Sequence, residues 1–261
     1  AMVMAERGWP DGRVVLLTMI GGYLSAGGAN AINQWVDRDI DATMKRTSNR
    51  PIPSGRMSAS HALGFGMVLS IASTLILGFG VNWPTALFAL LGLVLYVALY
   101  TLWLKRTTTQ NIVIGGAAGA VPPLVGWAAI EGSVGLAAVL LFAIVFYWTP
   151  PHFWALALLL KSDYEEVGVP MMPVVRGESQ TAWQVMWWSL VMVGVSLLPV
   201  AAGVSGGLYF VSALVLGAWF TASAVALVRT PFERSAARKT FHYSMLYLAL
   251  LFVAIAVDAA R

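Results

Sequence analysis

Two carboxylates and an amide recur at intervals of four residues where an apolar segment meets a charged one. The stretch NAINQWVDRDIDATMKRTSNRPIPSGR, residues 30 to 56, places Asn33, Asp37 and Asp41 at positions i, i+4 and i+8. On a helix each step of four residues advances about 40° around the axis and about 6 Å along it, so the three side chains form one oxygen-bearing stripe. Asp39 lies about 200° from Asp37 and is predicted to face solvent or Arg38.

Clustered like charges at the end of a membrane helix resist burial, so the stripe is predicted to bind a cation. Oxygen-only ligands suit Mg²⁺, which is commonly held by one or two carboxylates together with substrate phosphates. The basic residues Lys45, Arg46 and Arg50 follow directly and could bind phosphate oxygens. The pattern therefore predicts a Mg²⁺–diphosphate ligand. The alternative is a solvated helix end followed by an ordinary charged loop.

Two further charged segments could join this site. The segment LLLKSDYEEVGVPMMPVVRGE contains Asp163, which would complete a metal cluster if the two loops converge. If they do not converge, it is a plain loop. Lys105 and Arg106 follow another apolar segment, and they are either diphosphate ligands or only a signal of membrane topology.

One histidine lies inside an apolar segment. His152 occurs in FYWTPPHFWAL, between Trp148 and Trp154. An ionisable residue within a membrane span is a functional candidate, because placing it there is costly. A hydrogen-bonded packing role is the alternative, and the residues alone leave both open.

The elements that must position these residues are transmembrane helices. Of the 261 residues 59% are hydrophobic and only 11% are charged, with a mean hydropathy of +0.76, which excludes a soluble globular domain. A span needs about 20 mostly apolar residues. Eight segments qualify: 14–36, 61–81, 84–104, 111–130, 134–160, 184–203, 207–228 and 240–260. The predicted fold is an all-α helical bundle in the lipid bilayer, forming one domain over residues 1–261.

The connections between these spans alternate in charge. The loops 37–60, 105–110, 161–183 and 229–239 hold 13 of the 16 Lys and Arg residues, whereas the intervening loops are short and nearly uncharged. By the positive-inside rule the four charged loops are cytoplasmic. The net charge of +4 is thus read as a topology signal, and no nucleic-acid partner is expected. Pro122 and Pro123 are predicted to kink the fourth span, and the glycines before them to permit close helix packing.

Three long motifs resemble the signature regions of the protoheme IX farnesyltransferases, a branch of the UbiA-type intramembrane prenyltransferases. The motifs are NQWVDRDIDATMKRTSNRPIPSG, YTLWLKRTTTQNIVIGGAAGAVPPLVGW and WTPPHFWALALLLKSDYEEVGVPMMPVVRGE. The resemblance extends from about Gly8 to the C-terminus. It implies a bundle of nine transmembrane helices around a cavity that opens at the cytoplasmic side. Eight are visible here, and residues 1–7 are read as the remnant of a lost first helix.

The resemblance also implies residue roles. Asn33, Asp37 and Asp41 match the family's first Mg²⁺-binding motif, and they are the expected catalytic and metal-binding residues together with Asp163. Lys45, Arg46, Arg50, Lys105 and Arg106 are the expected diphosphate-binding residues. His152, Tyr164 and Trp148 are expected to line the acceptor pocket.

The reaction implied by the resemblance joins the farnesyl group of farnesyl diphosphate to a vinyl group of heme B. Water supplies a hydroxyl group, and heme O and diphosphate are the products. Heme O would be handed to a heme A synthase or to a terminal oxidase under assembly. The expected location is the bacterial cytoplasmic (inner) membrane, with the active-site loops on the cytoplasmic side.

Three other functions are alternatives to this one. A UbiA-type prenyltransferase for an aromatic quinone precursor would be expected to carry more aspartates in the second motif than KSDYEEVG offers. A membrane phosphotransferase for phospholipid head groups would be expected to carry glycine-bearing elements between its acids. A transporter would be expected to carry ionisable residues near mid-span, whereas the acids here gather at one end of the spans.

Overall fold

The chain folds into a bundle of helices, and residues 1–260, the part that the computed structural model describes, contain no strand. The helices are α1 (Met2–Glu6), α2 (Gly12–Val36), α3 (Arg38–Thr43), α4 (Ala59–Gly80), α5 (Trp83–Val94), a π-helix (Leu95–Leu104), α6 (Lys105–Thr107), α7 (Asn111–Ala120), α8 (Pro122–Glu131), α9 (Leu136–Leu159), α10 (Lys161–Glu166), α11 (Met172–Val175), α12 (Glu178–Ala201), α13 (Gly207–Arg229) and α14 (Arg234–Ala259).

Eight helical spans are long and apolar enough to cross a membrane, as the sequence predicts. They are Gly12–Val36, Ala59–Gly80, Trp83–Thr107, Asn111–Glu131, Leu136–Leu159, Glu178–Ala201, Gly207–Arg229 and Arg234–Ala259. Large apolar side chains such as Tyr23, Phe79 and Trp187 are exposed on their outer faces. Apolar surface of this kind is suited to contact with lipid, and the protein is an integral membrane protein.

Two spans begin earlier than predicted. The sixth starts at Glu178 rather than at 184, and the last at Arg234 rather than at 240. Hydropathy detects only the apolar part of a helix, whereas the backbone hydrogen bonds continue through its polar first turns. In the sixth span Glu178 lies in the first turn, where the partial positive charge of the helix N-terminus favours an acidic side chain.

The third span changes its winding midway. It is α-helical up to Val94 and π-helical from Leu95 to Leu104. A π-helix is rare and occurs frequently at functional sites. Its wider turn places different residues on the inner face than a continuous α-helix would. The predicted span over residues 84–104 is present, as Trp83–Thr107, but an apolar run carries no signal for this change in winding.

The fourth span is broken as predicted. Helix α7 ends at Ala120 and α8 begins at Pro122, because proline has no N–H to continue the helical hydrogen bonds. Helix α7 also packs tightly on α9: a Cβ added to Gly116 would lie only 2.9 Å from the Cγ2 atom of Thr149. The prediction that small residues permit close approach here is confirmed.

Helix α9 occupies the centre of the bundle and packs on α7, α12 and α14, while α2 packs on α4 and α4 on α5. One buried apolar cluster lies where the charged loops emerge. Its members are Ile40, Met44, Ile112, Trp154, Leu158, Val169, Met171, Met172, Ala182, Val185, Ala224, Leu227 and Ala237. Because Ile40 and Met44 of the first charged loop and Val169 and Met171 of the third pack with the adjacent helix ends in this cluster, it fixes both loops to one end of the bundle.

Candidate functional site

The stripe of Asn33, Asp37 and Asp41 forms at the junction of two helices rather than on one. Helix α2 ends at Val36, Asp37 caps it, and α3 begins at Arg38. The hydrogen-bond ladder continues across the junction, from Asp37 N to Asn33 O at 2.8 Å and from Asp41 N to Asp37 O at 2.8 Å. The four-residue spacing therefore still aligns the three side chains. All three are buried, Asp37 completely.

Asp37 is held by side chains from its own helix and from the third span. The Asn33 Nδ2 atom donates to Asp37 Oδ2 at 2.8 Å. Lys105 Nζ donates to the same oxygen, and Arg106 Nη2 lies 3.3 Å from Oδ1. A buried carboxylate is costly unless it is paired and hydrogen-bonded, and these contacts satisfy both of its oxygens.

Asp41 is held by the loop that follows it. Arg50 Nη1 donates to Asp41 Oδ2 at 2.7 Å, and the Thr47 hydroxyl donates to the Asp41 carbonyl at 3.1 Å. The loop therefore folds back over the end of the stripe. This places Arg50 next to the carboxylates, close to where the sequence predicts a diphosphate ligand.

Asp39 faces away from the stripe, as predicted. Its side chain is 61% exposed and pairs with the guanidinium of Arg106 through two hydrogen bonds of 2.8 Å. The expected alternative partner, Arg38, instead donates to the Trp35 carbonyl. Hydrogen bonds from Arg106 lower the pKa of Asp39 to about 2.

The two long charged loops converge, which the sequence leaves open. The guanidinium of Arg46 lies 5.9 Å from the ring centre of Tyr164, so residues 46 and 164 connect the first loop to the second. Beneath this contact Ile40 and Met44 share an apolar cluster with Val169 and Met171. On the second of these loops, Tyr164 is therefore the residue that contacts the first loop.

Asp163 is not gathered with the other acids. It is partly buried and takes part in no ion pair with any residue of 1–260. Within that range no three acidic or histidine side chains lie close enough together to hold a metal ion by themselves. The predicted fourth ligand is therefore not preassembled with Asp37 and Asp41.

The donor set nevertheless fits Mg²⁺ shared with a diphosphate. Such an ion needs only one or two protein carboxylates, and the oxygens here come from Asp37, Asp41 and Asn33. In the protein alone, three carboxylates at residues 37, 39 and 41 face three basic side chains at residues 50, 105 and 106. The charges balance, and the same six side chains offer carboxylates to a metal ion and basic groups to a diphosphate.

Of the residues predicted to bind diphosphate, Lys45 and Arg46 are exposed and neither pairs with a carboxylate in the described chain. They follow Met44, whose side chain lies in the buried apolar cluster at the charged end of the bundle. Both charges are therefore available to an anion at this end of the bundle.

The predicted acceptor residues fall into two places. His152 stacks between Trp148 and Phe241, with ring centres 4.1 and 4.8 Å away, and its Nδ1 lies 2.6 Å from the Ser244 hydroxyl. The indole of Trp148 donates to the Ser244 carbonyl at 2.7 Å. His152 and Trp148 are thus brought together, within the bundle. Tyr164 lies apart from them and packs against the buried apolar cluster at the charged loops.

Sequence reasoning missed Thr101. Its side chain is fully buried in the π-helix and accepts a hydrogen bond from Asn33 Nδ2 at 3.1 Å. The only signal was its position four residues before Lys105, which a run of apolar residues obscures. Asn111 was also missed: it is fully buried, and its side-chain amide atoms have no partner in residues 1–260.

Comparison with known proteins identifies the family. Residues 1–251 match the sequence profile of the UbiA prenyltransferase family. This chain belongs to the UbiA prenyltransferase family. The Asn33–Asp37–Asp41 junction and its ring of basic residues are thus features of a UbiA prenyltransferase family member.

Three relatives are about 50% identical to the chain over the regions that align. A protein of Chloroflexus aurantiacus named protoheme IX farnesyltransferase is 54% identical over 98% of this chain, which spans 44% of that protein. A protein of the same name from Thermus thermophilus is 52% identical over 99% of this chain and 42% of its own length. The chain thus spans less than half the length of these two relatives. A third, from Symbiobacterium thermophilum, is 50% identical over 100% of this chain and 88% of its own length.

Solved structures of UbiA relatives share the fold. The structure described as digeranylgeranylglyceryl phosphate synthase superposes with a TM-score of 0.81 at 20% identity, over 99% of this chain and 90% of that one. A UbiA homologue from Archaeoglobus fulgidus bound to DMAPP and Mg²⁺ has a TM-score of 0.66 at 15% identity, over 98% of this chain and 94% of its own. At these identities the likeness concerns the helical architecture.

Proposed function

We propose that this protein transfers the farnesyl group of farnesyl diphosphate to a vinyl group of heme B, with addition of water, to give heme O and diphosphate. The proposal that the protein binds a diphosphate rests on one observation: the buried Asp37 and Asp41 are paired with Arg50, Lys105 and Arg106. The acceptor follows from the relatives, which are named protoheme IX farnesyltransferase and match nearly the whole of this chain at about 50% identity.

The basic side chains bind and orient the diphosphate. Arg50, Lys105 and Arg106 come from two different loops and point at the same carboxylates, so small rotations would turn them toward phosphate oxygens. Asp37, Asp41 and Asn33 would hold Mg²⁺, with Asp163 as a further proposed ligand. When bound, the ion neutralises the charge that develops on the leaving diphosphate.

The bond changes balance without an oxidant or reductant. The C1–O bond of farnesyl diphosphate breaks, and the electron pair leaves with the diphosphate. The vinyl carbon of heme B forms a new C–C bond to the allylic cation. Water adds to the resulting porphyrin side-chain cation and loses one proton. The apolar interior of the bundle excludes other water molecules until the C–C bond has formed.

The acceptor would bind near the aromatic group of Trp148 and His152, and Tyr164 would contact it at the loop end of the bundle. The stacked rings of residues 148, 152 and 241 offer flat apolar surface of the kind that a porphyrin requires. We place the charged loops on the cytoplasmic side of a bacterial inner membrane, because they carry most of the Lys and Arg residues.

The test is a turnover assay of the protein in membranes with Mg²⁺, farnesyl diphosphate and heme B, followed by chromatography and mass measurement of the porphyrin. A porphyrin that gains a hydroxyethylfarnesyl group supports the proposal, and excess chelator should abolish the gain. Prenylation of a 4-hydroxybenzoate acceptor in place of heme would overturn the acceptor but keep the diphosphate site. Turnover that persists in chelator would remove Mg²⁺ from the mechanism.

A further inference from the structure

We propose that Thr101 is a positioning residue: it fixes the side-chain amide of Asn33 so that the amide oxygen is presented to the metal–diphosphate site. This inference deepens the proposed function and rests on it. Thr101 itself does not touch the substrate in this account. It acts through Asn33, to which it is hydrogen-bonded across the interface between α2 and the third span.

The hydrogen bonds leave one orientation for the Asn33 amide. The Thr101 hydroxyl has a single proton, which it donates to the Tyr96 carbonyl at 2.8 Å. Its oxygen can therefore only accept from Asn33. On the other side the carboxylate of Asp37 is also an acceptor, at 2.8 Å. Both neighbours require the NH₂ group of Asn33, so its Oδ1 must point away from both of them.

The amide oxygen of Asn33 remains available. Both hydrogens of Nδ2 are used by Asp37 and Thr101, whereas Oδ1 has no partner in the described chain. The fully buried side-chain atoms without a partner include those of Asn111 and Trp154 but not Asn33 Oδ1, so this oxygen is not sealed inside the bundle. A free, oriented carbonyl oxygen beside two carboxylates is a suitable ligand for Mg²⁺.

The π-helix makes this contact specific to Thr101. Other buried hydroxyls in the bundle, such as those of Thr149 and Thr181, donate to a carbonyl four residues earlier in their own helix. Thr101 donates instead to a carbonyl five residues earlier, which is the repeat of the π-helix. Its oxygen is thereby directed across to α2. The same winding places Lys105 at Asp37, so one distortion positions both residues.

The test compares variants of Thr101 by direct metal binding. Mn²⁺ with inorganic diphosphate serves as the probe, and binding to the purified protein is measured by electron paramagnetic resonance. Loss of a hydrogen-bonding group behind a metal ligand typically weakens metal affinity about 10- to 100-fold. We expect a loss of this size in Thr101→Val and wild-type affinity in Thr101→Ser, which keeps the hydroxyl.

Thr181→Val is the matched control. Thr181 is as buried as Thr101, and its hydroxyl bonds only within its own helix, so this variant should bind Mn²⁺ normally. In turnover, the defect of Thr101→Val should shrink as the Mg²⁺ concentration is raised, which a general loss of packing would not produce. If Thr101→Val does not accumulate as folded protein, the comparison of Mn²⁺ affinity between Thr101→Ser and Thr101→Ala tests the role instead, because these two variants differ by one hydroxyl group.

The outcomes separate the two proposals. Equal Mn²⁺ affinity in wild type and Thr101→Val, or in Thr101→Ser and Thr101→Ala, overturns the positioning role while the diphosphate site stands. Equal losses in the Thr101 and Thr181 variants also overturn it, since the effect would then be one of packing. A wild-type protein that binds neither Mn²⁺ nor diphosphate overturns the metal site and this inference together.

Discussion

Asp37 has no exposed surface and is hydrogen-bonded by side chains from two helices. Removal of a carboxylate from water costs several kcal/mol, which its partners offset only if their geometry is good. A buried ion pair is a poor means of stabilising a fold, since apolar residues would serve as well. The arrangement is better explained by the ligand that the carboxylate is proposed to hold.

Asp37 and Asp39 provide a matched pair of substitutions two residues apart. A positioned group that stabilises developing charge is typically worth about 10²- to 10³-fold in rate. We expect Asp37→Ala to lose at least that much activity and Asp39→Ala to lose far less, because Asp39 faces solvent. The measurement is the initial rate of porphyrin prenylation per amount of folded protein. Equal rates in the two variants would contradict the role of the stripe.

The lowered pKa of Asp39 predicts that the stability of the protein depends on pH. Its folded-state pKa of about 2 lies below the unfolded value near 3.9. The pair with Arg106 therefore contributes stability above about pH 4, and that contribution is lost as the pH falls toward 2. Because the pair is exposed, the effect should stay below about 1 kcal/mol.

The check is the thermal midpoint of Asp39→Asn and wild type in detergent between pH 2 and 6. We expect wild type to be slightly more stable at pH 6 and the difference to vanish near pH 2. A difference that grows as the pH falls would have the wrong sign for a lowered pKa.

At the scale of elements, the loop after α3 is held to the helix end by one ion pair. Asp41 is almost fully buried, and Arg50 reaches it from nine residues further along the chain. Removal of one partner from a buried pair leaves an uncompensated charge and typically costs about 3–5 kcal/mol, whereas removal of both costs less. Here the cost should be at the low end, since about a third of the Arg50 side chain is exposed.

A double-mutant cycle tests this anchor. We expect Arg50→Ala to be less stable than the double variant Asp41→Ala/Arg50→Ala, because the single change leaves Asp41 buried and unpaired. The measurement is the free energy of unfolding in mixed detergent micelles. Additive losses in the two single variants would show that the pair contributes no coupling energy, and the loop would need another anchor.

At the scale of the whole molecule, the charged loops lie at one end of the bundle. Arg234 Nη2 donates to the Leu159 carbonyl at 2.9 Å, and Lys161 pairs with Glu178 at 2.9 Å, so the ends of α9, α12 and α14 meet there. The hydrogen bond that Lys161 donates to Glu178 raises the pKa of Lys161. Ion pairs thus close one end of the protein, and the positive-inside rule predicts that this end faces the cytoplasm.

The absence of cysteine allows a direct test of this orientation. Ser162 and Ser133 are exposed serines at opposite ends of the bundle, in a charged and an uncharged connection. We expect a membrane-impermeant maleimide to label Ser162→Cys only in inverted vesicles and Ser133→Cys only in right-side-out vesicles. The reverse pattern would place the diphosphate site on the outer side of the membrane and contradict the proposed topology.

The helical class, the eight spans and the aligned side chains of Asn33, Asp37 and Asp41 are all predictable from the order of the residues. These features are local: hydropathy needs only consecutive residues, and the alignment of the stripe follows from the four-residue hydrogen-bond repeat, which continues across the junction of α2 and α3. The break at Pro122 was predictable for the same reason, since the missing N–H belongs to the residue itself.

The partners of this stripe depend on how the chain folds in three dimensions. Lys105 meets Asp37 and Tyr164 meets Arg46 across many intervening residues, and no local pattern encodes such pairings. The π-helix that turns Thr101 toward Asn33 was equally hidden, because an apolar run fits either winding. The site is therefore specified by residues that the sequence exposes, but its geometry depends on how neighbouring helices pack and how their loops close over one end of the bundle.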